Sequence, residues 1–302
     1  MVLANFVFRN DLGSDLHLSL TQIRQLSLKW TSKELNSWVE YPEMNTQEVK
    51  NHRIFNNQIN FSNKTKQKPF FSIILTFHNT QRIPFLRRAL ESLLTLEFDN
   101  WECILIDQSS ESSLVLALIS ELSDSRINHV PFERHSAPHA RNYGMSLAKG
   151  DFITFLDDDN YYLPWRLDLL ASIFRKDKNL DVVYTGLLVH NSLKRSWKFH
   201  YSPFDPESLR KINPADTNSI CLSRNFLPSI SWDTNMQGCQ DWCFLANASF
   251  KTHLFRSVPD FSVAISDDAP GRIAYTYDLK TEKDKIVKKI ESFLSMENSY
   301  KI

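Results

Sequence analysis

The sequence predicts an α/β protein with a mostly parallel sheet and helices on both faces. Three observations lead there. From Phe70 onward, short apolar strands alternate with amphipathic helices at regular spacing. Carboxylates stand where two of these strands end, at Asp107 and at the run Asp157, Asp158 and Asp159. The 302 residues are 42% apolar and 23% charged, enough for one large core or two small ones.

Residues 1–68 are rich in Asn, Ser and Gln and weakly periodic. Leu18 to Trp38 is expected to carry one or two short helices, with Ile23, Leu26 and Trp30 on one face. Asn60 to Lys68 is polar and basic, a linker closed by Pro69. Phe71 to Phe77 has the composition of a buried strand. Pro84 to Leu94 places Leu86, Ala89, Leu90, Leu93 and Leu94 on one helix face. Glu102 to Ile106 is a second apolar strand, Leu114 to Leu122 a helix, and Ile127 to Pro131 a short strand. Pro138 to Lys149 is a helix with Pro at its start and Gly150 just past its end. Phe152 to Leu156 is a strand that runs into the acidic triplet, and Pro164 opens the next helix. Beyond Leu180 the pattern loosens. Val182 to His190 and Ser196 to Tyr201 are expected as paired strands, Ser219 to Ser223 as a short strand, and Gln240 to Phe250 as a helix. Asp278 to Met296 is a charged helix with Ile286, Ile290 and Phe293 on one side.

The 35 basic and 35 acidic residues cancel, which argues against a nucleic-acid partner. No apolar run reaches the ~18–20 residues that cross a bilayer, and the first ten residues lack the pattern of a secretory signal. A cytoplasmic protein is the expectation, with peripheral contact at the inner membrane face through the Lys-rich stretch Lys280 to Lys289 left open. Six glycines form neither GxGxxG nor GxxxxGK[ST]. Four cysteines without a second spaced pair are expected as packed thiols.

Three adjacent carboxylates at a strand end raise one another's pKa unless a cation sits among them. Mg²⁺ or Mn²⁺ suits such a run, because these ions take one or two carboxylates and complete their shell with water and phosphate oxygens. A solvated acidic turn ahead of a helix is the alternative.

The stretch FLDDDNYYLPWRL, Phe155 to Leu167, resembles the metal-binding strand end of family 2 glycosyltransferases of the GT-A fold. Asp158 to Leu167 is similar to a subset of these, the nucleotide-sugar enzymes related to bacterial spore-coat polysaccharide transferases. SIILTFHN, Ser72 to Asn79, is similar to the family's opening strand and turn, and ECILIDQSS, Glu102 to Ser110, to its second strand. Ala140 to Asp159 follows its ARN-x-G, A-x-G and acidic-run order. The likeness covers about residues 70–260 well, the last forty weakly and residues 1–68 not at all.

The resemblance implies a GT-A domain over 69–302, with a nucleotide-sugar half at about 69–180, an acceptor half at about 181–275 and a terminal helix at about 278–297. Residues 1–68 form an extension of unassigned role. It implies an inverting, metal-dependent transferase for a nucleotide-sugar donor, a UDP-sugar above others, and a glycan, lipid-linked or protein acceptor. Asp107 would bond the nucleobase; Thr76, Phe77 and Asn79 would border base and ribose; Arg141 would lie near base and diphosphate; Asp158 would lie near the ribose. Asp159 would be the metal ligand, with Asp157 as the neighbouring register. Two departures surround the base: Gln108 and Ser109 stand where the family usually has Asp and Gly, and Thr76-Phe77-His78-Asn79 where it has P-T-Y-N. Transfer with inversion also needs a carboxylate to take the acceptor's proton. GCQDW, Gly238 to Trp242, supplies Asp241 for this, with Asp233 as competitor and Trp242 on the acceptor side. Asp267, Asp268 and Arg272 fall where some relatives have a closing segment. His78, His135 and His139 flank the mouth as hydrogen-bonding loop residues. A GT-A module that binds nucleotide without transfer, or a nucleotidyltransferase, are the competing functions.

Overall fold

A computed structural model describes residues 5–9, 15–34, 68–191, 196–205, 208–266, 269–270 and 279–299. The Asn60–Lys68 linker, apart from Lys68, and the segment with Asp267, Asp268 and Arg272 lie outside the described residues, as do the side chains of Trp30 and Phe293.

The larger sheet begins with β3 (Phe71–Phe77), the strand predicted at that position. Its residues alternate between two cores. Phe71, Ile73, Leu75 and Phe77 face one, and Ile74 faces the other. A strand apolar on both sides is what a sheet covered on both faces requires. Beside β3 lie β4 (Trp101–Asp107), β5 (Ile127–Pro131) and β6 (Phe152–Asp157), all parallel to it. α2 (Ile83–Leu94), α3 (Ser112–Leu122) and α5 (Arg166–Lys176) cover the first core. α4 (Ala137–Leu147), α6 (Gln240–Ser249) and α7 (Leu279–Ser299) cover the second. The sheet continues through β8 (Val182–Thr185), β11 (Ile220–Ser223) and β12 (Phe255–Val258), in the order β12-β8-β11-β6-β3-β4-β5. Only β11 runs against its neighbours, so the sheet is mostly parallel, as expected.

Gly144 sets the approach of α4 to this sheet. A methyl group there would lie 2.5 Å from Ile74 Cγ2, so only glycine lets the helix sit this close to β3.

A second, six-stranded sheet follows the order β2-β1-β10-β9-β13-β7. It contains β1 (Asn5–Arg9), β2 (Asp15–Ser19), β7 (Tyr161–Tyr162), β9 (Leu187–Asn191), β10 (Ser196–His200) and β13 (Val263–Ile265). β9 and β10 pair antiparallel, as the sequence suggested for this region. The single strand expected over Val182–His190 is in fact two strands in different sheets. Gly186 separates them, and a side chain there would strike Phe261 at 2.7 Å and the Asp260 carbonyl at 3.0 Å.

The N-terminal strands were not announced by the weak local periodicity. β1 pairs in parallel with β10 and antiparallel with β2. α1 (Leu20–Glu34) fits the predicted helical stretch. Its Ile23 is fully buried with Tyr161, Leu163, Trp165 and Phe261. No helix among the described residues is long and apolar enough to cross a membrane.

Candidate active site

Strand register builds the site. Phe77 on β3 pairs with Asp107 on β4, and Thr76 pairs with Asp157 on β6. The two acidic strand ends therefore flank β3, roughly 10 Å apart at ~4.8 Å per strand. Parallel strands put both at carboxyl ends, where such sheets bind ligands.

At the β4 end, Asp107 is buried. Its Oδ1 accepts from the Ser109 backbone N–H at 2.9 Å, and its Oδ2 lies 2.8 Å from His129 Nε2. Burial alone would raise its pKa, but the Ser109 and His129 bonds bring it below the ordinary value. His129 was not singled out from the sequence. It pairs with Leu105, two residues before Asp107, so the period of the strands puts both side chains on one face. Gln108 donates both amide hydrogens, to the Glu133 and His135 carbonyls, each at 3.1 Å. The Asp usual at this position could only accept, so this replacement fits a loop that presents carbonyls. On that loop His135 stacks on His139, whose Nδ1 lies 2.9 Å from Ser136 Oγ.

Thr76 is half-buried at the mouth. Phe77 is not a wall of the mouth: its ring is fully buried in the core, and only its carbonyl faces this end, accepting from Gln108 N–H at 2.8 Å. Asn79 caps a short turn, its Oδ1 accepting from Gln81 N–H at 3.0 Å.

That turn carries Arg82, whose side chain reaches the β6 end. Its Nη2 lies 2.5 Å from Asp158 Oδ1 and 2.8 Å from Asp159 Oδ2. Arg88 donates to the Asp159 carbonyl at 2.7 Å. Burial pushes Asp158 well above the ordinary carboxylate value; Arg82 opposes this, while Asp159 and Asp157 add to it. Asp157 is held differently. Arg141 donates to its Oδ1 at 2.8 Å, and Asn218 donates to its Oδ2 at 3.0 Å. Burial would raise Asp157, but Arg141 and then Asn218 hold it below the ordinary value.

The acidic run was expected to take a divalent ion. As arranged, its side chains are engaged by arginines. Arg82 already occupies Asp158 and Asp159, and Arg141 occupies Asp157. No group of three or more His, Cys, Asp or Glu among the described residues is set to hold a metal.

Arg141 joins this end to the start of α6. Its second nitrogen donates to Gln240 Oε1 at 2.7 Å, and its guanidinium lies over the Trp232 ring at 4.8 Å. Gln240 precedes Asp241, in the first turn of α6. Burial raises the Asp241 pKa above its ordinary value, against bonds from the Trp242 N–H and the Asn213 side chain. Asp216 interacts with it and is itself pushed up to about 6, first by burial and then by Asp241 and Asp157. Asn218 bridges Asp216 and Asp157, donating to Asp216 Oδ1 at 2.6 Å. Cys239, just before the helix, adopts a left-handed φ of 50°, a backbone strain at the position that aims Asp241.

Asp233, the competing carboxylate, is paired with Lys289. Burial would raise it, but the Lys289 bond leads the causes that hold it below the ordinary value. A base held this low is weak. Trp242 is a core residue and not an acceptor wall: it is buried, and its indole N–H donates to the Leu209 carbonyl at 2.6 Å.

The remaining motif residues tie the two sheets together. Arg166 is fully buried, donating to Thr185 Oγ1 at 2.7 Å and to the Ser219 carbonyl at 2.8 Å. Asn160 Oδ1 accepts from Ser266 N–H at 3.1 Å, and Tyr162 O–H donates to the Phe155 carbonyl at 2.6 Å.

The family model described as glycosyl transferase family 2 matches residues 72–247, more than half of the chain. The chain therefore belongs to glycosyl transferase family 2, and its fold is GT-A. It is 34% identical over 128 residues to WcaA of Escherichia coli K12, which is named for glycosyl transfer in colanic acid biosynthesis; this is 42% of the chain and 44% of that protein. It is 30% identical over 129 residues to WfgD of Escherichia coli, named as a UDP-Glc:alpha-D-GlcNAc-diphosphoundecaprenol beta-1,3-glucosyltransferase; this is 42% of the chain and 49% of that protein. The alignments thus span less than half the length of these relatives. Among solved structures, that of residues 1–349 of Staphylococcus aureus TarS, bound to UDP-GlcNAc, superposes with a TM-score of 0.61 and 14% identity. The match covers 74% of this chain and 66% of that one.

Proposed function

We propose that this family 2 chain is an inverting glycosyltransferase whose donor is a UDP-sugar and whose acceptor is a hydroxyl of a lipid-linked glycan. The observation that carries the reading is Asp241. It is a carboxylate raised above its ordinary range, at a helix start joined through Gln240 and Arg141 to Asp157. A base with a raised pKa is better matched to taking a hydroxyl proton. In the transfer, the acceptor oxygen attacks the anomeric carbon opposite the diphosphate. The carbon–oxygen bond to the diphosphate breaks, its electron pair leaves with the diphosphate, and the hydroxyl proton passes to Asp241.

Asp107 faces the nucleobase in this reading. Its low pKa keeps it ionised, a lasting acceptor for a uracil N–H. The UDP-sugar bound to TarS and the UDP-Glc donor in the name of WfgD support uridine as the base, and WfgD's name supports a lipid-linked acceptor. No step of the transfer is assigned to a divalent ion, because Arg82 holds the carboxylates that such an ion would need. The proposal puts the enzyme in the cytoplasm, with α7 toward the membrane face. The exposed Lys288 supports this, while Lys285 and Lys289 are used within the fold by Glu282 and Asp233.

A thermal-shift panel of UDP, GDP, CDP and dTDP, each with EDTA and with Mn²⁺, tests the donor. A shift for UDP above the others, lost in Asp107→Asn, is expected. Equal shifts, or none, would remove the uridine reading. A module that binds but does not transfer would show the shift with no release of UDP from UDP-sugars.

A further inference from the structure

The helix α7 lies beyond residues 72–247, the span that matches the family model. It nevertheless sits on the segment that leads into Asp241. Glu282, Ile286, Lys289 and Ile290 share one face of the helix by their spacing. Ile286 and Ile290 pack into the core that holds Trp242, Cys243 and Phe244, the residues directly after Asp241. Lys289 pairs with Asp233, and Glu282 reaches the backbone further along the same segment.

Glu282 is buried, and its Oε2 accepts from two successive backbone N–H groups, Gln237 at 3.0 Å and Gly238 at 3.1 Å. Lys285 lies against its other oxygen. Burial would raise the Glu282 pKa, but Lys285 and the two N–H groups hold it below the ordinary value, so the carboxylate stays charged. Gln240 holds the same turn from the inside, its amide donating to the Met236 and Gln237 carbonyls at 3.3 and 3.1 Å. The next residue, Cys239, has the left-handed φ of 50°. Such a conformation persists only where its surroundings over-determine it. Without the Glu282 carboxylate, the N–H of the buried Gly238 loses its acceptor and the turn loses its outer anchor.

We infer that Glu282 is a positioning residue for Asp241: by fixing the Gln237 and Gly238 backbone from α7, it sets the strained Cys239 turn that aims the base. The helix thus completes the site from outside the matched span. Its role in transfer rests on the reading of Asp241 as the base, whereas the clamp on the turn does not.

The test uses the full chain as wild type, Glu282→Ala, Glu282→Gln, Glu282→Asp and Asp241→Asn. UDP release from UDP-Glc or UDP-GlcNAc, with water as the acceptor, gives kcat and KM. Ellman's reagent reads the thiol of Cys239, the one cysteine of the four that is not buried. Glu282→Ala should lower kcat at least about tenfold at an unchanged KM, since a small misplacement of a catalytic group costs that much. Its Cys239 should react severalfold faster, while Cys103, Cys221 and Cys243 stay protected. Glu282→Gln keeps an acceptor oxygen at the same reach and should restore both values. Glu282→Asp keeps the charge but falls short of the turn, and should restore neither. Wild-type kcat in Glu282→Ala, or equal losses in Glu282→Ala and Glu282→Gln, would overturn the inference. Should Glu282→Ala not fold, or expose the buried thiols, Glu282→Asp beside Glu282→Gln carries the test, and equal kcat values would overturn the inference. Wild-type turnover in Asp241→Asn would remove the base reading and leave the Cys239 comparison to decide the clamp.

Discussion

The two acidic strand ends on either side of β3 solve the same problem in opposite ways. Asp107 is held by donors from its own neighbourhood, the Ser109 N–H and His129, and its pKa falls below the ordinary value. Asp158 and Asp159 share the Arg82 guanidinium, and burial drives Asp158 upward despite that arginine. A lone carboxylate needs only hydrogen bonds to stay charged, and it remains a fixed acceptor suited to recognising a base. Adjacent carboxylates need a cation, and the choice of cation decides what the site can bind. In the proposed reading, the difference separates recognition, at the β4 end, from charge handling, at the β6 end.

The sharpest way to break this contrast is to remove the cation. Arg82→Gln should cost about 3–5 kcal/mol of stability, because it removes one partner of a buried ion pair, the guanidinium that bridges Asp158 and Asp159. Asp107→Asn should cost less, about 1–3 kcal/mol, since Asn still offers an acceptor and His129 can present its other tautomer. Urea unfolding of both variants beside wild type gives the two values. Similar costs would mean that the ends are held alike.

The pH dependence should also differ in sign. Asp107 has a depressed folded pKa, so its contribution is present above its unfolded value of 3.8 and is lost as pH falls through the lower folded value. Asp158 has a raised folded pKa, so its charged form costs stability at neutral pH, and the cost is relieved as pH falls through that raised value. With falling pH, the stability of wild type relative to Asp158→Asn should rise, and that relative to Asp107→Asn should drop at the acid end. Parallel slopes would contradict the contrast.

A smaller effect is expected at the third carboxylate cluster. Asp216 is raised to about 6, first by burial and then by the Asp241 charge, and repulsion between like charges acts on both partners. Asp216→Asn should lower the Asp241 pKa and move the acid limb of kcat/KM down by up to about one pH unit. A pH–rate profile reads this directly, and an unmoved limb would mean that Asp216 does not tune the base.

Much of the first half of the chain was legible, because its signals are local. β3 and α2 show their periods in the sequence, and the carboxylates at Asp107 and Asp157–Asp159 follow directly from where strands end. What the sequence hid was contact between distant segments. Arg82 is a charged residue at a helix start, and nothing nearby marks it as the partner of Asp158; the Asn79 cap was the one available hint. His129 is a polar residue in a short edge strand, and its role depends on register with β4. Asn218, itself held by Asp216, binds the β6 end from a turn more than fifty residues further on. The split of Val182–His190 into β8 and β9 depends on the Phe261 ring beside Gly186, a contact no local pattern encodes. The N-terminal strands join a sheet through β10, far along the chain, so their weak periodicity carried little information.

The account turns on Asp241 as the base, and one measurement reaches it most directly. UDP release from UDP-sugars, with water in place of the acceptor, should be compared for wild type and Asp241→Asn beside UDP affinity by calorimetry. The account predicts unchanged UDP affinity with turnover reduced by about a hundredfold or more. Turnover at the wild-type rate in a folded, UDP-binding Asp241→Asn protein would contradict it.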